Sequence, residues 1–246
     1  MNAKRPMIAV LTGAGISTDS GIPDYRGPQG LWHKDPSAQE LVTIGPYLRD
    51  PEVRRRSWLL RGEAGALGAE PNAGHRALVE LERSGLPLRV LTQNVDGLHQ
   101  RSGLTARKVL ELHGTAREVQ CAGCRVTGPM EAVLARVGAG EADPPCRECG
   151  GILRPRTVMF GEALDPVVLQ QADAIAKACD LFIAVGTSLQ VYPVAALPQI
   201  ALESGARLVV MNAEPTPFDE AADEVIREPI SQALPELVRR LVREPS

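Results

Sequence analysis

Two apolar patterns alternate along the chain. Short, mainly apolar runs occur at residues 7–12 (MIAVLT), 88–94 (LRVLTQN), 181–188 (LFIAVGTS) and 207–214 (RLVVMNAE). Each is mostly apolar before it turns to Gly or polar side chains, which predicts buried strands entering tight turns. Between them the apolar positions take helical spacing. Residues 72–85 predict a helix capped by Asn72 and stopped at Gly85, and residues 165–178 one capped by Asp165 with Pro166 at its first position. Residues 193–205 predict a third, with an apolar face, a stop at Gly205 and a kink at Pro198. Apolar strands alternating with helices predict an α/β fold, a parallel sheet covered on both faces. Ligands gather at the carboxyl ends of such strands. Gly13-Ala14-Gly15, Gln93-Asn94-Val95-Asp96, Gly186-Thr187-Ser188 and Asn212-Ala213-Glu214 should therefore meet at one edge.

Two stretches break the alternation and predict insertions that form a small domain beside the sheet. Residues 27–71 are rich in Pro, Gly and charge and contain the amphipathic PEVRRRSWLLR, whose Arg54–Arg56 run is expected on a solvated helix face. Residues 115–155 hold two Cys-x-x-Cys pairs. The composition adds exclusions. A net charge of -3 and 3% aromatic residues over 246 positions argue against a nucleic-acid-binding surface. No apolar run is long enough for a membrane span, and the N-terminal stretch has no signal-peptide pattern. The expected location is the cytoplasm, where paired cysteines point to metal more than to disulfides.

Cys121-x-x-Cys124 and Cys146-x-x-Cys149 fit a zinc ribbon of four thiolates, with Gly123, Gly150 and Gly151 easing the tight knuckles. Four thiolates close the coordination sphere, so the site is expected to be structural. Cys179, alone before a strand, is expected in the core. Gly13-Ala14-Gly15 allows close approach to a pyrophosphate at a helix N-terminus, or serves simply as a tight turn. Thr18 stands where a dinucleotide fingerprint would place a further glycine. The loop SGIPDYRGPQGLW at residues 20–32 has the composition of a ligand clamp. Gln93, Asn94 and Asp96 end a strand with groups that need polar partners, either a ligand or a capped helix. His113, after VLEL, should lie at the same edge, where a neutral imidazole suits proton transfer. His33, His75 and His99 have no comparable setting.

Taken in order, GAGIS, SGIPDYRG, TQNVDGLH, LHG, the Cys-x-x-Cys pairs, FGE, VGTSLQVYP and NAEPTP resemble the sirtuins, NAD-dependent protein lysine deacylases, over residues 7–242. The resemblance implies a Rossmann-like NAD-binding domain from residues 1–30, 72–114 and 156–246. A small domain would combine a helical module, residues 31–71, with a zinc ribbon, residues 115–155. It implies NAD contacts from Gly13, Ala14, Gly15, Ser17, Ile22, Asp24, Tyr25 and Arg26, and from Gln93, Asn94 and Asp96 at the nicotinamide and its ribose. Gly186, Thr187, Ser188, Asn212, Glu214 and Ile230 would line the adenosine side. Val158, Met159 and Phe160, with Leu189 and Val191, would edge the groove for an acylated lysine of a protein substrate. His113, assisted by Asn94, would be the catalytic base on a ribose hydroxyl after acyl oxygen displaces nicotinamide, and zinc would take no part in the chemistry. Trp58 and Arg61 stand where members preferring succinyl or malonyl lysine carry Tyr-x-x-Arg. The phenol is missing here, which favours acetyl or another uncharged acyl group; an ordinary amphipathic helix with Trp58 in the core is the other reading of this segment. Protein ADP-ribosylation from the same NAD site, and a non-catalytic zinc-stabilised NAD sensor, are the alternative readings.

Overall fold

The computed structural model describes residues 5–24, 36–63 and 68–243. The strands are β1 (Ile8–Thr12), β2 (Leu88–Thr92), β3 (Val109–Glu111), β4 (Gly114–Cys121), β5 (Thr127–Pro129), β6 (Leu153–Thr157), β7 (Leu181–Val185), β8 (Arg207–Met211) and β9 (Glu224–Ile226). The helices are α1 (Ile44–Arg49), α2 (Pro51–Glu63), α3 (Ala73–Arg83), α4 (Leu98–Arg101), α5 (Met130–Gly138), α6 (Pro166–Ala178), α7 (Leu197–Glu203) and α8 (Ile230–Arg243).

Six strands form one sheet in the order β3-β2-β1-β7-β8-β9, every pair parallel. All five residues of β1 and of β7 are buried, as expected of strands covered on both faces. The alternation of side chains splits them between two cores. Ile8 and Val10 face a cluster with Leu78 and Leu81 of α3 and Leu234 and Leu237 of α8. Ala9 and Leu11 face one with Ala172 and Ala176 of α6 and Leu197 and Ala201 of α7. The chain leaves β1 toward β2 on one side of the sheet, and β7 starts the other half. The crevice between β1 and β7 is thus the switch point where ligands bind in sheets of this kind.

Local signals account for most helix ends. Asn72 caps α3 by accepting from the Gly74 and His75 amides, while His75 accepts the Asn72 amide in return. Asp165 accepts the Val167 amide at 2.8 Å, and Pro166 opens α6. The expected kink at Pro198 is absent. A 3-10 turn over Val194–Ala196 precedes α7, and Pro198 lies in the first turn of that helix, where its missing N–H breaks no bond. The predicted helix after Gly13 is a 3-10 segment, Ala14–Ser20, ended by Gly21 at φ 82°.

The second sheet has the order β5-β4-β6, antiparallel. Its core joins Leu41, Tyr47 and Trp58 to Val119, Met130 and Leu153. Residues from both sequence insertions therefore share one apolar cluster. The Arg54–Arg56 run is not uniformly solvated. Arg54 is buried and donates to Asp143 at 2.7 Å and to the Tyr47 and Leu48 carbonyls. No helix of the described residues is long and apolar enough to cross a membrane.

Candidate active site

The turns after β1 and β7 touch through backbone alone. Gly15 N donates to Gly186 O at 2.9 Å, and Gly13 N to Val185 O at 3.0 Å. A Cβ on Gly13 would lie 2.7 Å from Gly186 O, and one on Gly186, at φ 61°, 2.5 Å from Ile16 N. Glycine here is a steric requirement. The backbone-to-backbone approach of these glycines keeps the turn itself free of side chains of its own, as close passage of a pyrophosphate demands.

Polar side chains from three strand ends join above this floor. Asn94 Nδ2 donates to Gly13 O at 3.0 Å and to Ser17 Oγ at 3.1 Å. Ser17 Oγ in turn donates to Asp96 Oδ2 at 2.8 Å. The other Asp96 oxygen accepts the Leu98 amide at the start of α4. Gln93 Nε2 donates to Thr187 Oγ1 at 2.9 Å, bridging β2 and β7. His113 follows β3, and its Nδ1 lies 3.0 Å from the Gln93 carbonyl. A carbonyl only accepts, so Nδ1 carries the ring proton and Nε2 keeps a free lone pair. Burial holds the His113 pKa below the ordinary imidazole value, opposed by the bond to Gln93 O. The ring is therefore neutral at pH 7 and can accept a proton.

Among the residues expected at the substrate, the His113 carbonyl accepts the Val158 amide at 2.9 Å. The regular strand ends just before these residues, because β6 stops at Thr157. Phe160 then makes an isolated parallel bridge with Thr43, which ties this edge to the segment before α1. Leu189 is buried at φ 54°, with its amide 3.3 Å from Thr187 Oγ1, and Val191 is half-buried. Trp58 is 0% exposed and packs edge-on to Tyr47 at 6.3 Å between ring centroids. It presents no surface to a ligand in this conformation, which matches an ordinary core residue. Arg61 is half-buried on the same helix and acts electrostatically on Tyr47.

The remaining expected residues are spread along the same edge. The Ile22 amide donates to Ser17 O, and Asp24 is half-buried. Tyr25 and Arg26 lie outside the described residues, as does His33. Ala14 and Ser188 are half-buried beside their glycines. Asn212 Nδ2 donates to Glu214 O at 2.8 Å, and Glu214 is exposed. Ile230, which opens α8, packs against the core near Gly74.

Sequence reasoning passed over two histidines. His75 and His99 are 0% and 1% exposed, with ring centroids 5.1 Å apart, directly beneath this cluster. His75 Nε2 lies 3.5 Å from Ser17 Oγ, and His99 Nε2 lies 2.9 Å from Thr12 Oγ1. The one sequence signal for His75 is its helical spacing with Leu78 and Leu81, which puts it on their buried face of α3.

The four Sγ atoms of Cys121, Cys124, Cys146 and Cys149 lie within 4.8 Å of one another. Cys121–Cys149 and Cys124–Cys146 are separated by 3.5 and 3.7 Å. Those separations are too long for disulfides. They match the ~3.8 Å edge of a tetrahedron with zinc–sulfur bonds of ~2.3 Å. A Cβ on Gly151 would lie 3.2 Å from both the Cys121 and Cys149 sulfurs. The donor set fits zinc, with four protein ligands and no open position. Cys179 is buried with its thiol on the Ala176 carbonyl, in the core as expected.

The sequence profile of the Sir2 family matches residues 13–193. A Streptomyces coelicolor protein named NAD-dependent protein deacetylase 2 is 68% identical over 237 residues, covering 96% of this chain and 98% of that protein. A solved structure described as Sir2 with a p53 peptide and NAD+ superposes with a TM-score of 0.85 at 37% identity, covering 97% of this chain and 92% of the other. Another, a Sir2 histidine-to-alanine variant with deacetylated p53 peptide and 3'-O-acetyl ADP ribose, gives 0.86 at 38% identity, with 97% and 93% covered.

Proposed function

This chain belongs to the Sir2 family, and from that premise we propose that it removes acyl groups, acetyl first among them, from protein lysines at the expense of NAD. The products are nicotinamide, the free lysine and an O-acyl-ADP-ribose. The observation that carries the reading is His113. It is a neutral imidazole with Nδ1 committed to the Gln93 carbonyl and Nε2 open, beside the Asn94–Ser17–Asp96 cluster.

In this reading Gly13, Ala14, Gly15 and Gly186 let the pyrophosphate pass close to backbone amides. Gln93, Asn94, Asp96 and Ser17 would hold the nicotinamide ribose, and Ile22, Asp24, Tyr25 and Arg26 are the further NAD contacts that the resemblance implies. Thr187, Ser188, Asn212, Glu214 and Ile230 form the adenosine side. His113 Nε2 takes the proton of a ribose hydroxyl, and the Asn94 carboxamide orients that sugar. Val158–Phe160 and Leu189–Val191 offer strand edges to the substrate backbone. Trp58, closed off in the small-domain core, would not touch the acyl group in this conformation, which leaves half-buried Arg61 as the one of the pair that could meet it.

The reading assigns residues 1–30, 72–114 and 156–246 to the NAD-binding domain and 31–71 with 115–155 to the small domain, as the resemblance implied. Zinc held by the four cysteines is structural. A reducing compartment such as the cytoplasm keeps its thiols available, and a net charge of -3 gives nucleic acid no electrostatic hold.

The test is product analysis with NAD and acetyl-, succinyl- and long-chain-acyl-lysine peptides. O-acetyl-ADP-ribose and nicotinamide in equal amounts are expected, fastest with acetyl. ADP-ribose retained on protein, without an O-acyl product, would establish transferase activity in its place.

A further inference from the structure

Beneath Asn94 lie three buried polar side chains that have no part in the chemistry above. Thr12 and Thr92 end β1 and β2 as register partners, 0% and 2% exposed. Thr12 Oγ1 donates to Thr92 Oγ1 at 2.8 Å, and Thr92 Oγ1 accepts the backbone N–H of Asn94 at 3.1 Å. His99 Nε2 lies 2.9 Å from Thr12 Oγ1. With its own proton given to Thr92, the Thr12 oxygen accepts from the ring. Nε2 therefore carries the imidazole proton and Nδ1 is bare. That Nδ1 is buried without a partner among the described residues, the less costly of the two ways to leave this ring incomplete.

Valine would fill either threonine position with nearly the same shape and without a polar atom. A hydroxyl buried at a strand end needs partners, or it costs stability. Here both hydroxyl oxygens are hydrogen-bonded, and the last partner in the series is the Asn94 main chain. Thr92 also fixes the other side of the site, because its carbonyl accepts the amide of Leu112, next to His113, at 2.8 Å. Gly13, which follows Thr12, supplies the carbonyl that holds the Asn94 side chain.

We propose that His99, Thr12 and Thr92 are positioning residues, a buried relay that locks the Asn94 backbone so that its carboxamide meets the nicotinamide ribose in a single orientation. The proposal rests on the role given to Asn94 above.

Thr92→Val removes the oxygen and keeps the shape, whereas Thr92→Ser keeps the oxygen. Three quantities separate positioning from bulk stability: steady-state kinetics with NAD and an acetyl-lysine peptide, amide hydrogen exchange of Asn94 followed by NMR, and thermal melting. Thr92→Val is expected to lower kcat about tenfold per folded molecule with the peptide KM little changed, and to speed Asn94 exchange about tenfold. Thr92→Ser is expected to recover most of both. Unchanged kcat and Asn94 exchange in Thr92→Val would overturn the relay. So would equal damage in Thr92→Ser, because the oxygen would then not matter. Should Thr92→Val fail to fold, Thr12→Val cuts the relay one step earlier and is read in the same two ways. A wild-type chain that forms no O-acetyl-ADP-ribose counts against the deacylase reading alone, because Asn94 exchange reports the relay without turnover.

Discussion

His113 holds one ring nitrogen in a fixed hydrogen bond and leaves the other free, and burial keeps the ring neutral. A base of this kind works only when deprotonated. The rate should therefore fall on the acid side with a midpoint below the usual imidazole value of about 6.5. Measuring kcat/KM between pH 5 and 8 checks this, and a midpoint above 6.5 would mean that a different group titrates. His113→Ala should lose about 10²–10⁴-fold in kcat while melting near the parent temperature. Gly186 makes the opposite prediction. Gly186→Ala adds a Cβ at 2.5 Å from Ile16 N on a φ of 61°, with only backbone atoms of Gly15 and Ile16 as its nearest neighbours. It should cost about 3 kcal/mol in denaturant unfolding, well above an ordinary surface change. The Gly13–Gly15 pair was legible as a close-approach turn. Its partner in that approach, Gly186, is distant in sequence, and only the β1–β7 pairing shows what the two share.

Elements read well where a local signal sets them and poorly where tertiary contacts do. Asn72, Asp165 and Pro166 announced α3 and α6 because capping is a matter of neighbouring residues. β9, at three residues, and α8, with Pro235 inside it, gave no comparable warning. α8 is held by Leu234, Leu237 and Val238 against the sheet, and such packing outweighs propensity. The Arg54–Arg56 run misled for the same reason, since nothing in α2 reveals Asp143 some ninety positions away. That contact ties α2 to the loop before Cys146 and so links the helical module to the ribbon. Arg54 also closes on two carbonyls at the end of α1. Arg54→Ala should therefore cost about 2 kcal/mol, moderated by the partial exposure of Asp143. A shift in urea midpoint with an unchanged slope would measure it, and no shift would reduce the pair to a surface contact.

At the scale of the whole molecule, the site is built on buried histidines that must stay uncharged. Burial pushes His75 down to about 4, with Asp96 pulling it up and Arg76 pressing it further down. Burial and the neighbouring His75 push His99 down to about 3. His113 is shifted in the same direction. In the unfolded chain each would titrate near 6.5. As pH falls below that value the unfolded state binds protons that the folded state refuses, so stability drops with acid. The sign follows from the linkage relation, which gives about 1.4 kcal/mol per pH unit for each such histidine. The loss begins near pH 6.5, before ordinary carboxylates titrate. Glu82 and Asp219, where burial is outweighed by hydrogen bonds from Thr105 and Thr216 with help from Lys108 and Arg227, are held below their normal values and add their losses only at lower pH. Urea unfolding at pH 7, 6 and 5 should therefore show stability falling by more than one histidine's slope between 6 and 5. A flat profile over that interval would mean that these rings take up protons in the folded protein, and with it the neutral floor beneath Asn94 and Asp96 would be lost.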